Sequence, residues 1–183
     1  GRDLRCKVFA EGGNLGCTQL GRIEYAAAGG RIYTDAIDNS AGVDTSDHEV
    51  NIKILLGLAV ADGELTEKQR NALLAEMTDD VAAQVLRDNY FQTQVLSVTG
   101  RIAPALLDAQ ARFMHYLEKA GKLNRALEFL PSDDELAERR KQGRGLESPE
   151  RAALLAYSKI WLSDELDASS LPDDPWVATA LAR

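Results

Sequence analysis

The chain has 183 residues, with 21 Lys and Arg against 29 Asp and Glu and a formal net charge of -8. This acidic balance disfavours nucleic acid as a partner, because a nucleic-acid groove needs clustered cations to neutralise phosphates. No run of about 20 apolar residues occurs, so we expect no membrane-spanning segment.

The first predicted elements alternate between strand and helix. Residues 5–10 (RCKVFA) are rich in strand formers and lead into glycines, which predicts a buried strand that ends at a ligand-facing loop. Thr18 is predicted to cap a helix that has Leu20, Ile23 and Ala27 on one face and stops at Gly29 and Gly30. Residues 31–37 (RIYTDAI) predict a second strand, followed by a polar loop over 38–46. Open α/β sheets bind ligands at such strand ends.

From Asp47 onward the pattern predicts helices. The first has Val50, Ile54 and Leu58 on one face and further apolar residues on the other, so we expect it to be buried all round. Capping boxes that begin at Thr66 and Ser132 predict two more helices. Others are predicted from residue 78 to a break at 100, from 104 to 121, over 122–130, and from 148 to 166.

These elements predict a mainly α fold in two parts. Residues 1–46, with about two strands and a helix, are expected to be a short α/β remnant of a Rossmann-like cofactor domain, at that domain's C-terminal end. Residues 47–183 are expected to be a multi-helix C-terminal domain. The chain opens with Gly-Arg-Asp and reaches its most specialised segment within a dozen residues, so we expect a piece of a longer protein, here called the parent.

Two asparagines are candidate ligand contacts. Asn14 follows Gly12 and Gly13, whose missing side chains allow a ligand to approach the backbone. Its amide can both donate and accept hydrogen bonds, although a turn asparagine that bonds its own backbone is an equal alternative. For Asn39 and Ser46 the alternative is helix capping.

A metal site is a weaker hypothesis. Carboxylates and imidazole between residues 35 and 49 suit divalent cations, but their spacing matches no recognised metal loop, and first-turn acids explain Asp47 and Glu49. We therefore predict no metal, and a packing or hydrogen-bonding role for His48. Cys6 and Cys17 form no metal spacing with the two histidines, and we expect two buried free thiols in a reducing, cytoplasmic setting.

The chain resembles the large-subunit bacterial NAD-dependent glutamate dehydrogenases. The resemblance rests most specifically on residues 11–56, EGGNLGCTQLGRIEYAAAGGRIYTDAIDNSAGVDTSDHEVNIKILL. It continues through LTEKQRNALLAEMTDDVAAQVLRDNY, LEFLPSDDELAERR and LLAYSKIWLSDEL, so it covers essentially the whole sequence. It implies oxidative deamination of L-glutamate to 2-oxoglutarate and ammonia, with NAD as the hydride acceptor, by a parent expected to be a homo-oligomer.

The resemblance also implies roles for particular residues. An E-G-A-N motif of the family, whose Asn contacts the ribose near the nicotinamide, corresponds to residues 11–14, which assigns Gly12, Gly13 and Asn14 to the cofactor. An N-A-G-G-V-x-x-S motif assigns Asn39 to the nicotinamide and Val43 and Ser46 to the substrate, with the serine reaching the side-chain carboxylate. Gly13 and Ala41 stand where the shorter enzymes commonly have Ala and Gly.

Other parts of such an enzyme are missing from this sequence. It contains no G-x-G-x-x-G motif for a pyrophosphate, and nothing resembles the lysine-bearing motifs with which the family binds and deprotonates its substrate. We therefore expect no catalytic residue here and no activity from the chain alone, which needs the remaining domains of the parent as partners. A rival hypothesis is a helical interaction or regulatory module without a catalytic role.

Overall fold

The computed structural model describes residues 1–177, which are mostly helical. The helices are α1 (Gln19–Ala27), α2 (Asp35–Asp38), α3 (Ser40–Ala61), α4 (Glu67–Glu76), α5 (Thr78–Arg101), α6 (Ala103–Lys119), α7 (Asp133–Lys141) and α8 (Ser148–Asp167), followed by a 3₁₀ turn at Leu171–Asp173. Among residues 1–177, no helix combines the length and the apolar composition needed to cross a membrane.

The predicted strands are absent from the described residues. Val8 and Arg31 form a single parallel bridge, in which Phe9 N donates to Arg31 O at 2.9 Å and Arg31 N donates to Lys7 O at 3.0 Å. Parallel pairing is stable mainly inside a wider, covered sheet, and residues 1–177 place no third strand beside this pair. The predicted Rossmann-like α/β remnant is therefore wrong, whereas the mainly α class is confirmed.

The polar segment 38–46 is also helical rather than a loop. α2 occupies Asp35–Asp38, and α3 begins at Ser40 instead of Asp47. A hydroxyl in a helix can bond the carbonyl one turn back, and Thr45 Oγ1 donates to Ala41 O at 2.7 Å. At Thr45, the polarity that predicted a loop is thus satisfied within the helix.

Residues 122–130 form turns instead of the predicted helix. Asn124 Oδ1 accepts a hydrogen bond from Leu127 N at 3.2 Å, and Phe129 adopts a left-handed φ of 53°. Both features oppose a continuous helix, because the first offers the backbone a turn and the second breaks helical geometry. The predicted capping boxes at Thr66 and Ser132 are confirmed.

The main core lies in the second half of the chain. Met114, with 0% exposure, and Leu107 and Leu117 of α6 pack against α7, α8 and the turns between them. A smaller cluster joins Ile37 of α2, Leu96 of α5 and Ala152 of α8. This second cluster holds α2 and the start of α3 against the C-terminal helices.

The sequence predicted that α3 would be buried all round, and this prediction is wrong. The helix packs along α5, and among its residues Leu56 is the one that is buried. On the opposite side, Val50, Ile54 and Leu58 are 50%, 58% and 59% exposed. The described chain therefore covers α3 on one face.

Candidate functional site

A cleft of about 820 Å³ opens where the loop after Gly13, α2, the start of α3, α5 and α8 meet. Its volume falls within the range of small-molecule sites. Asn14, Asn39 and Val43, which the sequence nominated from two separate motifs, all line it. The fold therefore brings together residues of two motifs that lie far apart in the sequence.

The remaining nominated residues lie outside the lining of the cleft. Gly12 and Gly13 are exposed and precede Asn14 on the same loop. A Cβ added to Gly12 would meet nothing within 4 Å, and one added to Gly13 would meet Glu11 Oε1 at 3.4 Å. The space above them is open to a ligand. Ser46 is exposed on α3, on the turn that follows Val43.

Asn14 sits in a strained turn with a free side chain. Asn14 and Leu15 both have left-handed φ angles, 58° and 56°, a conformation that Asn tolerates but Leu adopts at a cost of about 1–2 kcal/mol. Leu15 N is held by Asp35 Oδ2 at 2.5 Å. Within residues 1–177, the side-chain amide of Asn14 forms no hydrogen bond, so the turn leaves it available to a ligand.

Asn39 is used partly by the protein. Its Nδ2 donates to Glu11 O at 3.0 Å and to Asp35 O at 3.2 Å, which occupies both amide hydrogens. Although it precedes α3, its side chain makes no capping bond. The carbonyl Oδ1 remains as the atom that can accept a hydrogen bond from a ligand.

A buried arginine, which the sequence analysis missed, fixes the cleft-facing loop. Arg22 of α1 is 2% exposed, and its Nη2 lies 2.8 Å from Glu11 Oε2 and 2.6 Å from Asp35 Oδ1. Nη1 lies 3.6 Å from Asp38 Oδ2 and donates to Tyr33 O at 2.9 Å. One guanidinium thus clamps three carboxylates from the loop and from α2.

The apolar face predicted for α1, which includes Leu20, is not the face that the helix buries: Leu20 is 49% exposed, and α1 buries Arg22 and Tyr25. The available signal was the pair Asp35 and Asp38, acids in a segment that is otherwise apolar and aromatic. Tyr25 also donates from Oη to Cys6 O at 2.6 Å. Cys6 and Cys17 are free thiols as expected, but the prediction that both are buried is wrong, since Cys6 is exposed and Cys17 is partly exposed.

Asp35 is an ionised anchor of this arrangement. Burial alone would raise the pKa of its carboxyl, but hydrogen bonds with the Glu11 carboxyl and with Leu15 N, together with the charge of Arg22, outweigh burial and lower the pKa. The carboxylate therefore stays charged at neutral pH. It links the clamp to the strained turn that carries Asn14.

A second polar network lies on the far side of the cleft. Gln92 Nε2 of α5 donates to Ser40 Oγ at 2.8 Å, Ser40 Oγ bonds Asn89, and Lys159 Nζ of α8 bonds Gln92 Oε1. The sequence analysis missed these residues because α5 and α8 were interpreted as ordinary core helices. Asn89 and Gln92, three apart and so on one helical face, were the available signal.

His48 lies between two acids where α3 meets α5. Its Nε2 is 3.6 Å from Asp44 and 3.9 Å from Asp88, and the three groups lie close enough together to share a cation. Both acids line the cleft, as do Asp35 and Asp47. Among the described residues of the lining, these four acids outnumber the one cationic residue, Lys159. The lining therefore favours cationic over anionic ligand groups.

Comparison with known proteins identifies the chain's relatives. A family described as "Bacterial NAD-glutamate dehydrogenase, catalytic domain" matches residues 1–99, and one described as "Glutamate dehydrogenase, C-terminal" matches residues 143–183. The NAD-specific glutamate dehydrogenase of Halomonas elongata is 52% identical over 183 residues, which is 100% of this chain and 11% of the relative. That of Pseudomonas aeruginosa is 57% identical over 177 residues, or 97% of this chain and 11% of the relative.

The corresponding enzyme of Mycobacterium tuberculosis is 49% identical over 180 residues, covering 98% of this chain and 11% of the relative. These matches, one of them to a catalytic domain, define the chain as part of a dehydrogenase. The chain belongs to the bacterial NAD-glutamate dehydrogenase family. It spans 11% of the length of the curated relatives that it matches.

Proposed function

We propose that these residues form one wall of the cofactor and substrate cleft in an NAD-dependent glutamate dehydrogenase. The parent would oxidatively deaminate L-glutamate to 2-oxoglutarate and ammonia. The observation that carries this proposal is the convergence of Asn14, Asn39 and Val43 on one cleft. Relatives that cover nearly the whole chain are NAD-specific glutamate dehydrogenases, which supports the choice of reaction.

The residues present fit the nicotinamide end of NAD. When bound, NAD accepts a hydride from the substrate. The free amide of Asn14 would bond the hydroxyls of the neighbouring ribose, and the open space over Gly12 and Gly13 lets the sugar approach the loop. Asn39 Oδ1, the acceptor left over after its two bonds to the protein, would accept a hydrogen bond from the carboxamide and so fix the orientation of the ring.

The α3 residues would contact the amino acid. Val43, which is 66% exposed at the cleft, offers an apolar contact for the substrate's methylene groups, and Ser46 offers a hydroxyl donor for its side-chain carboxylate. The acidic lining suits the cationic groups of the reactants, namely the oxidised nicotinamide ring and the α-ammonium. Cations for the carboxylates must then come from the parent, so the chain alone is inactive.

The proposal includes an organisation for the parent. Residues 1–46 end its NAD-binding or catalytic domain, and residues 47–183, which start within α3, form a helical C-terminal domain. The parent is a cytoplasmic homo-oligomer, a setting that suits the free thiols Cys6 and Cys17.

The first test is steady-state kinetics of NADH formation by the parent. Asn14→Ala is expected to raise KM for NAD about fivefold, since one neutral hydrogen bond contributes about 1 kcal/mol. Asn51→Ala is the control, because Asn51 is an exposed α3 residue whose amide bonds Asp47 O within the helix. Ser46→Ala is expected to raise KM for glutamate, with the exposed Ser97→Ala as its control.

Unchanged constants in Asn14→Ala and Ser46→Ala would contradict the site assignments. A parent that does not turn over glutamate with NAD would contradict the proposed reaction. An inactive parent would favour the alternative that the chain is a helical interaction or regulatory module.

A further inference from the structure

α3 carries two apolar faces, and the described chain covers one of them. Ile52, Leu56 and Val60 point toward the side that packs on α5, where Leu56 is buried. Val43, Val50, Ile54 and Leu58 recur at helical spacing on the opposite side, with exposures of 66%, 50%, 58% and 59%. We call these four residues the α3 stripe.

The α3 stripe is long, and Asp47 interrupts it between Val43 and Val50. From residue 43 to residue 58 it runs about 22 Å at the helical rise of about 1.5 Å per residue. Single exposed apolar residues are ordinary on protein surfaces, but several on one helical face, as at Val50, Ile54 and Leu58, mark an interface. One end, Val43, reaches the cleft, so whatever covers the stripe also borders the cleft.

We propose that the α3 stripe, from Val50 to Leu58, docks against the part of the parent polypeptide that lies outside these 183 residues, while Val43 stays open to the cleft. The matched region makes up 11% of the length of the curated relatives. Most of a parent of similar length therefore lies outside it and can supply the partner surface. α3 also falls within the match to the catalytic domain, residues 1–99, whereas the main core cluster lies between Leu107 and Leu154. The stripe therefore lies on the opposite side of α3 from Leu56, outside both described core clusters.

Charge argues against a second copy of this chain as the occupant. Each copy carries a formal charge of -8, and like net charges oppose close association. Asp47 also lies on the stripe side of α3, between Val43 and Val50, and would face its counterpart or other acids of the second copy. The occupant is therefore an apolar surface of the same parent molecule, and this inference holds whichever reaction that molecule catalyses.

The test is site-directed photo-crosslinking in the full-length parent. A benzophenone amino acid at Ile54 is expected to give crosslinks within one molecule, to peptides outside the matched residues. The same probe at Lys53 is the matched control, because Lys53 is the adjacent α3 residue, 48% exposed, and pairs with Glu49 on a different side of the helix. It should crosslink at least tenfold less.

Three results would overturn the proposal. Crosslinks between two molecules would identify a second copy as the occupant. Crosslinks confined to residues 1–183 would mean that this chain covers its own stripe, and equal yields at Ile54 and Lys53 would mean that nothing covers it. Peptide mapping of the crosslinked mass distinguishes all three results, and none depends on enzyme turnover.

Discussion

Replacing Arg22 with Met is expected to destabilise the chain by about 3–5 kcal/mol. Methionine keeps much of the side-chain length but removes the charge that compensates three carboxylates, those of Glu11, Asp35 and Asp38, whose side chains are 11%, 21% and 9% exposed. Removing one partner of a buried ion pair costs this amount because the remaining charge stays buried without compensation.

Urea unfolding followed by circular dichroism measures this loss. With a slope of up to about 3 kcal/mol per M, a loss of 3 kcal/mol lowers the midpoint by at least about 1 M. The control is Arg140→Met, because Arg140 pairs with Asp108 on the surface, with side chains 53% and 62% exposed. Such exposed pairs contribute about 0–1 kcal/mol.

The effect of Arg22→Met should also shrink as the pH falls below 3.8 and through the lowered pKa of Asp35, because a protonated carboxyl no longer needs a counter-charge. Equal losses in Arg22→Met and Arg140→Met, or a loss independent of pH, would refute the clamp as a stabilising unit.

Three further changes test the helical core and its titrating groups. Met114→Ala should cost about 2–5 kcal/mol by urea unfolding, because Met114 is 0% exposed; a cost below 1 kcal/mol would contradict the packing. The Arg125 hydrogen bond lowers the pKa of Glu118 below its ordinary 4.5 against the effect of burial, so this pair stabilises the fold above pH 4.5 and the stability is lost as the pH falls through the lowered pKa. In Glu118→Gln the acid limb of a Tm-against-pH curve should flatten, and an unchanged limb would count against the pair. Burial, then the Glu128 hydrogen bond, raise the pKa of Tyr157 to about 12, so ultraviolet titration should find at least the Tyr157 phenol still neutral at pH 11, and stability present below pH 10 should be lost toward pH 12.

The helical part of the fold was largely predictable because its signals are local. Thr66 and Ser132 begin capping boxes that need three following residues and nothing else, and both form as predicted. The apolar spacing of α6, on whose buried face Met114 lies, is likewise a property of one helix. The strand prediction at 5–10 and 31–37 failed because strands depend on neighbours, and the described residues supply a single bridge.

The candidate site was predictable from its motifs but not from its supports. Asn14 and Asn39 belong to short motifs that can be recognised in isolation. No local sequence pattern predicts the contacts of Arg22, Gln92 and Lys159. Each of these residues meets its partners only after α1, α5 and α8 have packed. A polar residue in a helix that otherwise looks like core is the signal that sequence analysis undervalued.

The bonds from the start of α8 back to the first part of the chain bear on how the protein can be dissected. Ser148 Oγ donates to Ile32 O at 2.8 Å, and Gln19 Nε2 donates to Pro149 O at 3.2 Å. Ala152 also covers Leu96, which is 1% exposed. An expression clone that stopped at residue 99, where the catalytic-domain match ends, would strip these partners away and leave Leu96 in water. Screening such a truncation against inhibitors would therefore sample a cleft that has lost one of its walls.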